Sequence, residues 1–339
     1  MRKYWLAILQ GALSAFLIWK LFGDASLRAE AGRVVSQSDP RWLLAAFGAA
    51  FLAESFSAVR WWYVLRAFGT PVGLGKVVIF WGAGLFLSLG LPGTGGGDAF
   101  RVLYMIRLYP RRKLRASLSI LADRLCGLAA LVVSLALAGM LRHRQFTADP
   151  AVLRIFTAAT ALLGLALLLM FFWWATTIPG IRSLWTPRKF PALRRRVHHL
   201  GVIFSGLGNR PRLIGVAVMI ALLAFLLHSF TYFFSARAFG LPLTAGDMLS
   251  VMPVVDTLIV LPVTLFGIGL RETLFQHLLG SLFGITTSAA ALASLGGFLT
   301  QAAVALLGGL LLPFTATGRT DLRQPSGHRH RTKPLDANE

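Results

Sequence analysis

The chain has 339 residues, of which 56% are hydrophobic and only 14% are charged, and its net charge is +21. A typical soluble domain carries about 25% charged residues. A globule of this length cannot hide so much apolar surface, so the composition excludes a soluble protein and predicts one that has lipid as its solvent. The excess of basic residues does not indicate nucleic-acid binding, because these residues lie between apolar runs. The single cysteine, Cys126, excludes an internal disulfide and a cysteine zinc cluster.

Six apolar runs are long enough to cross about 30 Å of hydrocarbon as helices. They comprise residues 4–22, 42–59, 116–141, 151–175, 213–235 and 285–313. The first run follows Arg2 and Lys3, as the apolar part of a signal peptide would, but it is long and no small-residue cleavage site follows it. We therefore predict an all-α integral membrane protein with about six membrane-spanning helices.

Two further apolar regions, 77–108 and 248–283, are interrupted by proline and glycine, at 92–97 and 262–269 respectively. Each half would be roughly 16–22 Å long as a helix, so neither half spans a bilayer alone. Non-helical backbone at membrane depth needs protein or water as a hydrogen-bonding partner. Both regions are therefore predicted to be re-entrant hairpins or broken helices, rather than soluble phosphate-binding loops, which require a preceding strand.

The basic residues assign the loops to the two sides of the membrane. Of the 34 lysines and arginines, 23 lie in residues 2–3, 60–76, 107–115, 176–212 and 318–339. By the positive-inside rule these segments face the cytoplasm, and six spans then place both termini there. The basic loop 176–212 has the pattern of an amphipathic helix on the inner leaflet, with a plain solvated loop as the alternative. The polar tail 318–339 is predicted to be disordered.

An internal repeat divides the apolar part of the chain. The hexapeptide RAFGTP at 66–71 recurs as RAFGLP at 237–242, and Pro92 and Pro262 follow at nearly equal intervals. We predict a first membrane repeat over 1–141 and a second over 142–317, each with two spans, a hairpin and a span. The topology derived from charge places the second repeat upside down, as in many secondary transporters. A chance match of a short Gly-Pro turn is the alternative.

Ionisable residues within apolar segments are costly in lipid and are candidate functional groups. They are Glu54, Asp98, Arg101, Asp123, Arg124, Asp256, Arg271 and Glu272. Asp98 and Arg101 lie one helical turn apart, which allows an ion pair between them; capping of the half-helix by Asp98 is the alternative. Glu54 is expected only to snorkel or to pair with Arg60. Each pair is either a structural ion pair or a substrate contact. His228 is expected to be a hydrogen-bonded core residue rather than a proton relay.

Three motifs in order resemble those of the lysylphosphatidylglycerol synthase transmembrane (flippase-like) family. They are PGTGGGDAFR at 92–101, DRLCGL at 123–128 and PVTLFGIGLRE at 262–272, with Phe266 where a glycine is usual. The resemblance covers residues 1–315. In the family, this region is similar to the flippase half of the multiple peptide resistance factor, which moves aminoacylated phosphatidylglycerol between leaflets. The chain ends at Glu339, where the family's aminoacyl-transferase domain would follow, so the resemblance implies translocation without synthesis.

The expected function is translocation of an anionic or aminoacylated phospholipid, or a related lipid, between the leaflets of a bacterial inner membrane, with no enzymatic activity, metal or cofactor. The tips of the half-helices and their arginines would hold the phosphate, and the carboxylates would orient the arginines or meet a cationic head group. The predicted substrate-binding residues are Gly95, Gly96, Gly97, Asp98, Arg101, Asp123, Arg124, Gly267, Gly269, Arg271 and Glu272.

Other functions and partners stay open at this point. The alternative function is a non-transporting scaffold for a lipid- or glycan-modifying enzyme, docked through loop 176–212, and a membrane transferase is weaker still. The expected partner is a membrane phospholipid with an anionic head group, and nucleic acid is not expected. A homodimer and a lipid-synthesising enzyme are further partners that the sequence leaves open.

Overall fold

The computed structural model describes residue 32 and residues 36–70, 72–90, 96–175, 211–260 and 267–317. Within these ranges the regular structure is helical and contains no strand, so the predicted all-α class is confirmed. The helices are α1 (Pro40–Ala67), α2 (Leu74–Gly90), α3 (Gly96–Leu108), α4 (Lys113–Leu141), α5 (His143–Ala148), α6 (Pro150–Ala175), α7 (Pro211–Ala238), α8 (Ala245–Ile259), α9 (Leu270–Phe283), α10 (Thr287–Gly309) and α11 (Leu312–Thr317).

Five of these helices are long and apolar enough to cross a membrane: α1, α4, α6, α7 and α10. Helices α1, α4, α6 and α7 each contain one of the predicted apolar runs, and α10 lies within the run 285–313, so the multi-pass architecture is confirmed. The first predicted run, 4–22, lies outside the described residues, as do residues 176–210 of the basic loop and the tail 318–339. The predicted loop 60–76 needs correction, because α1 continues through Arg60 to Ala67.

Each of the two interrupted regions contains a pair of short helices, as predicted. Helices α2 and α3 have 17 and 13 residues, and α8 and α9 have 15 and 14. Helix α3 runs back along α2, because Gly97 lies against Ser88 while Arg101 lies against Gly84. The connecting residues 91–95 and 261–266 are outside the described part of the chain, so the depth at which each pair turns stays a prediction.

The repeated hexapeptide forms the same helix end in both halves. The N–H of Gly69 donates to the carbonyl of Arg66, and the N–H of Gly240 donates to the carbonyl of Arg237, each over 3.0 Å. Both glycines have a left-handed backbone conformation, with φ of 68° and 74°, which glycine commonly adopts at the end of a helix. The end of α1 therefore has the same backbone conformation as the end of α7.

The equivalent first helices, α1 and α7, pack against each other in opposite directions. At one end the N–H of Asp39 donates to the carbonyl of Ala238 over 2.9 Å, and Trp42 stacks on Phe234. The contacts between the halves come in matching pairs. Helices α1 and α2 of the first half both contact α10 of the second half. Helices α7 and α8 of the second half both contact α4 of the first half. The two sets of four helices thus make matching contacts, and the inverted repeat stays a prediction.

Candidate functional site

An ion pair joins the two long helices of the first half. Arg60 of α1 donates to both carboxylate oxygens of Asp123 of α4, over 2.7 and 3.3 Å. Both side chains are more than nine-tenths buried. Two hydrogen bonds between ionised groups offset part of the cost of removing both charges from water. The pair fixes α4 against α1 beside the start of α3.

Arg101 of α3 lies between two tryptophan rings. Its guanidinium carbon is 5.0 Å from the ring centroid of Trp61 and 4.3 Å from that of Trp81, distances typical of cation–π contacts. The side chain is only 5% exposed; it donates to Asp98 one turn earlier and lies 3.9 Å from Asp123. The predicted pairing of Asp98 with Arg101 is confirmed. The two rings and the carboxylates together stabilise the charged Arg101 guanidinium inside the helix bundle.

Arg124 joins this group from α4. Its Nε donates to the second carboxylate oxygen of Asp98, and its side chain is 53% exposed, unlike that of Arg101. Asp98 therefore lies between a buried arginine and an exposed one. We call Arg60, Asp98, Arg101, Asp123 and Arg124 the first cluster.

A cavity of about 190 Å³ opens beside the first cluster. It is lined by Arg60, Arg101 and Arg124 together with Glu54, Ser57, Trp81, Gly84, Leu85, Ser88 and Gly97. The carboxylate of Glu54 accepts from Trp81 Nε1 over 2.9 Å, so the expected pairing of Glu54 with Arg60 is wrong. With Glu54, the lining and the cluster hold three carboxylates and three arginines, so the site is formally neutral without a ligand.

Gly97 permits the close approach of α3 to α2 that shapes this cavity. A Cβ at Gly97 would lie 2.4 Å from the carbonyl oxygen of Gly84 and 2.5 Å from the hydroxyl of Ser88. The N–H of Gly97, at the beginning of α3, donates to that hydroxyl over 3.1 Å. The predicted contact of Gly97 with substrate stays a prediction. Gly96 begins α3, and Gly95 lies outside the described residues.

The second half contains a related group around Arg271 and Glu272 of α9. The Arg271 guanidinium lies 5.7 Å from the ring centroid of Tyr232 and 5.5 Å from that of Phe298. Glu272 is 2% exposed and accepts from the N–H of Gly269 over 2.6 Å and from the hydroxyl of Ser294 over 3.0 Å. We call these six residues the second cluster.

Two of the predicted glycines shape the approach to the second cluster. Gly267 and Gly269 have φ of 74° and 86°, in the left-handed region that favours glycine. Gly269 caps α9, and its N–H is the donor to Glu272. These two glycines therefore set the backbone at the start of α9, whereas the predicted contact with substrate stays a prediction.

The two clusters occupy equivalent positions in the two halves. Tyr232 and Trp61 are separated by the same number of residues as Arg237 and Arg66 of the repeated hexapeptides. Likewise, Arg271 and Arg101 are separated by the same number of residues as Pro262 and Pro92. In each half, an arginine of the third helix thus lies over an aromatic ring of the first helix. The polar partners differ, because Arg101 lies beside Asp98 and Asp123, whereas Ser294 of α10 donates to Glu272 in the second cluster.

The structure does not bring the two clusters together. Because α1 and α7 are antiparallel, with Trp42 beside Phe234, Trp61 and Tyr232 lie about 25 Å apart along the helix axes. The predicted residues Asp98, Arg101, Asp123 and Arg124 therefore share one site, and Gly267, Gly269, Arg271 and Glu272 share another. The expectation that the two broken regions meet in a single polar site is not met by these described side chains.

A third polar group lies one helical turn from Tyr232. His228 Nε2 is 3.0 Å from a carboxylate oxygen of Asp256, and His228 Nδ1 is 2.9 Å from the amide nitrogen of Gln301. The predicted hydrogen bonding of His228 is confirmed. Among the described residues, no group of three histidine, cysteine, aspartate or glutamate side chains is arranged to hold a metal ion.

Long apolar helices that enclose buried, charge-balanced groups define a multi-pass integral membrane protein with polar sites inside its helix bundle. The chain belongs to the family described as the lysylphosphatidylglycerol synthase TM region, whose model matches residues 7–309. This membership places the protein in the context of lipid metabolism or transport. No curated protein matches the chain at a significant level of similarity.

Proposed function

We propose that this protein translocates an anionic or aminoacylated phospholipid between the leaflets of a bacterial inner membrane, without catalysing a reaction. The observation that carries the proposal is the position of buried Arg101 and exposed Arg124 on either side of Asp98, beside a polar cavity. Arginine binds phosphate by two parallel hydrogen bonds, and a buried site strengthens this attraction. A lipid phosphate in the cavity would replace the Asp98 carboxylate as partner of one or both arginines.

The membrane arrangement that we propose is an inverted repeat with both termini in the cytoplasm. It is supported by the antiparallel α1 and α7, by the matched helix ends at Gly69 and Gly240, and by the reciprocal packing of the two halves. In this arrangement the first cluster lies towards the cytoplasm and the second towards the outside. Each leaflet would then have an arginine site for the head group, while the acyl chains stay in the bilayer.

Two sites on opposite faces favour translocation over a purely structural role. A structural ion pair needs neither an adjoining cavity nor an exposed third charge, yet the first cluster has both in the 190 Å³ cavity and Arg124. Buried charge in a membrane is costly, so a surplus of such groups is a functional hypothesis by default. A homodimer and a lipid-synthesising partner stay predictions.

The test is leaflet transport of fluorescent phosphatidylglycerol in phosphatidylcholine vesicles that contain the purified full chain. We expect the wild type to move the probe faster than empty vesicles do, and the double variant Asp98→Ala, Arg101→Ala to be slower by about 10- to 100-fold. That factor corresponds to the roughly 1.5–3 kcal/mol of a hydrogen bond to a charged group. Arg107→Ala, an exposed arginine of the same helix, is the matched control and should transport like the wild type. Wild-type transport no faster than that of empty vesicles would refute the proposal.

A further inference from the structure

We infer that His228 and Asp256 form a proton-binding site that couples lipid movement to the proton gradient. The inference rests on the proposed function and deepens it, because it names the source of energy. Its structural basis is the ionisable pair between the long apolar helix α7 and the short helix α8, beside the second cluster and separate from the first.

The pair has a hydrogen-bonding environment that suits two protonation states. His228 lies 3.0 Å from Asp256 through Nε2 and 2.9 Å from Gln301 through Nδ1. When the ring is neutral, Nε2–H donates to the carboxylate and Nδ1 accepts from the amide nitrogen of Gln301. When the ring is protonated, the amide turns over and its oxygen accepts from Nδ1–H. Gln301 therefore satisfies His228 in both states, which a side chain that only donates would not do.

The described ionisable groups around His228 and Tyr232 carry unequal numbers of positive and negative charges. Asp256 bonds to His228, and Arg271 and Glu272 interact electrostatically with Tyr232, which lies against His228. With neutral His228, the two carboxylates outnumber the single arginine by one charge. One proton on His228 makes the group formally neutral, and neutrality lowers the cost of holding charges inside the membrane.

Among the described residues, the observed contacts of the other helices packed on α7 bring no second cation to this group. Helix α10 carries no ionisable residue. Near the middle of α1, Glu54 accepts from Trp81, and Arg60 is paired with Asp123 of α4. His228 is 26% exposed and Asp256 is 17% exposed, so the pair is not sealed within the bundle. A proton from water is therefore the cation that the site is built to accept.

Contact between the pair and the second cluster provides the coupling. The ring of His228 lies edge-on to Tyr232, with centroids 5.4 Å apart, and the Arg271 guanidinium lies over the same tyrosine at 5.7 Å. A proton on His228 adds positive charge near Arg271 and so strengthens the binding of an anionic head group there. By linkage, the head group strengthens proton binding equally. As the lipid binds on one face of the membrane, the His228 ring takes a proton from water and an N–H bond forms. On the other face that bond breaks and the proton returns to water. Proton and lipid therefore move in the same direction.

The test uses the full chain in phosphatidylcholine vesicles with a trace of fluorescent phosphatidylglycerol, under an imposed pH gradient. Coupling of one proton to one lipid predicts up to about ten-fold accumulation of the probe in the leaflet facing the alkaline side for each pH unit, because one unit corresponds to about 1.4 kcal/mol. His228→Gln and Asp256→Asn should abolish this accumulation. Ser229→Ala, beside His228 with its hydroxyl bonded within its own helix, should keep it.

The outcomes separate the inference from the function on which it rests. Wild-type movement of the probe without any response to the gradient overturns proton coupling and leaves translocation intact. No movement above that of empty vesicles overturns translocation itself. Accumulation that persists in both folded variants shows that His228 and Asp256 are structural. Two variants are used because either one alone can fail to fold.

Discussion

Arg60 and Asp123 form a doubly hydrogen-bonded ion pair, with donor–acceptor distances of 2.7 and 3.3 Å, inside the bundle of the first half. The pair places Asp123 3.9 Å from Arg101 and so links α1, α3 and α4 in one charged group. In the second half, Ser294 of α10 donates to Glu272 of α9. The two halves thus keep the arginine over an aromatic ring but hold it in different electrostatic surroundings.

Replacing Asp123 with asparagine should destabilise the protein by about 3–5 kcal/mol, because it leaves Arg60 buried without its counter-charge. The double variant Arg60→Met, Asp123→Leu should lose much less, since both charges are removed and the volume is filled. Thermal unfolding in detergent, followed by circular dichroism, measures both. If the asparagine variant unfolds at the wild-type temperature, the pair does not stabilise the bundle.

Gly97→Ala should reduce lipid transport, because the added methyl would meet the Gly84 carbonyl at 2.4 Å and push α3 away from α2. The cavity beside Arg101 would then change shape. Gly75→Ala in α2 is the matched control, since a Cβ there meets no atom within 4 Å. The leaflet-transport assay compares the two variants, and equal rates would show that the approach of α3 to α2 is not needed for function.

Glu272→Ala should destabilise the second half by about 1.5–3 kcal/mol, because a buried charged acceptor of two hydrogen bonds is lost at the beginning of α9. Ser294→Ala removes only one of those bonds and should cost about 0.5–1.5 kcal/mol. Thermal unfolding of both variants gives the order. A larger loss for the serine variant would contradict the capping role assigned to Glu272.

The sequence predicted the spanning helices well, because apolar runs of that length have few alternatives in a chain of this composition. It ended the second run at residue 59, whereas α1 extends to Ala67. A charged residue lowers the local hydropathy, and only the structure shows that Arg60 is neutralised by Asp123, which is 63 positions away. The continuing apolar pattern at Trp61, Val64 and Leu65 was the available signal.

The candidate site was predictable only where its partners are local. Asp98 and Arg101 are one turn apart on the same helix, so their pairing followed from helical spacing. The contacts of Arg101 with Trp61 and Trp81, and of Asp98 with Arg124, join different helices and depend on packing that spacing alone does not determine. The separation of the two clusters likewise follows from the antiparallel packing of α1 and α7.

The central claim is that the two equivalent arginine clusters serve opposite faces of the membrane. It is tested by labelling single cysteines with a membrane-impermeant maleimide in intact cells, in a Cys126→Ala background. Gly73→Cys, exposed just after the first repeated turn, and Pro242→Cys, exposed in the second, report the two ends. The account predicts that Pro242→Cys is labelled in intact cells and Gly73→Cys only after permeabilisation. Labelling of both from the same side would contradict it.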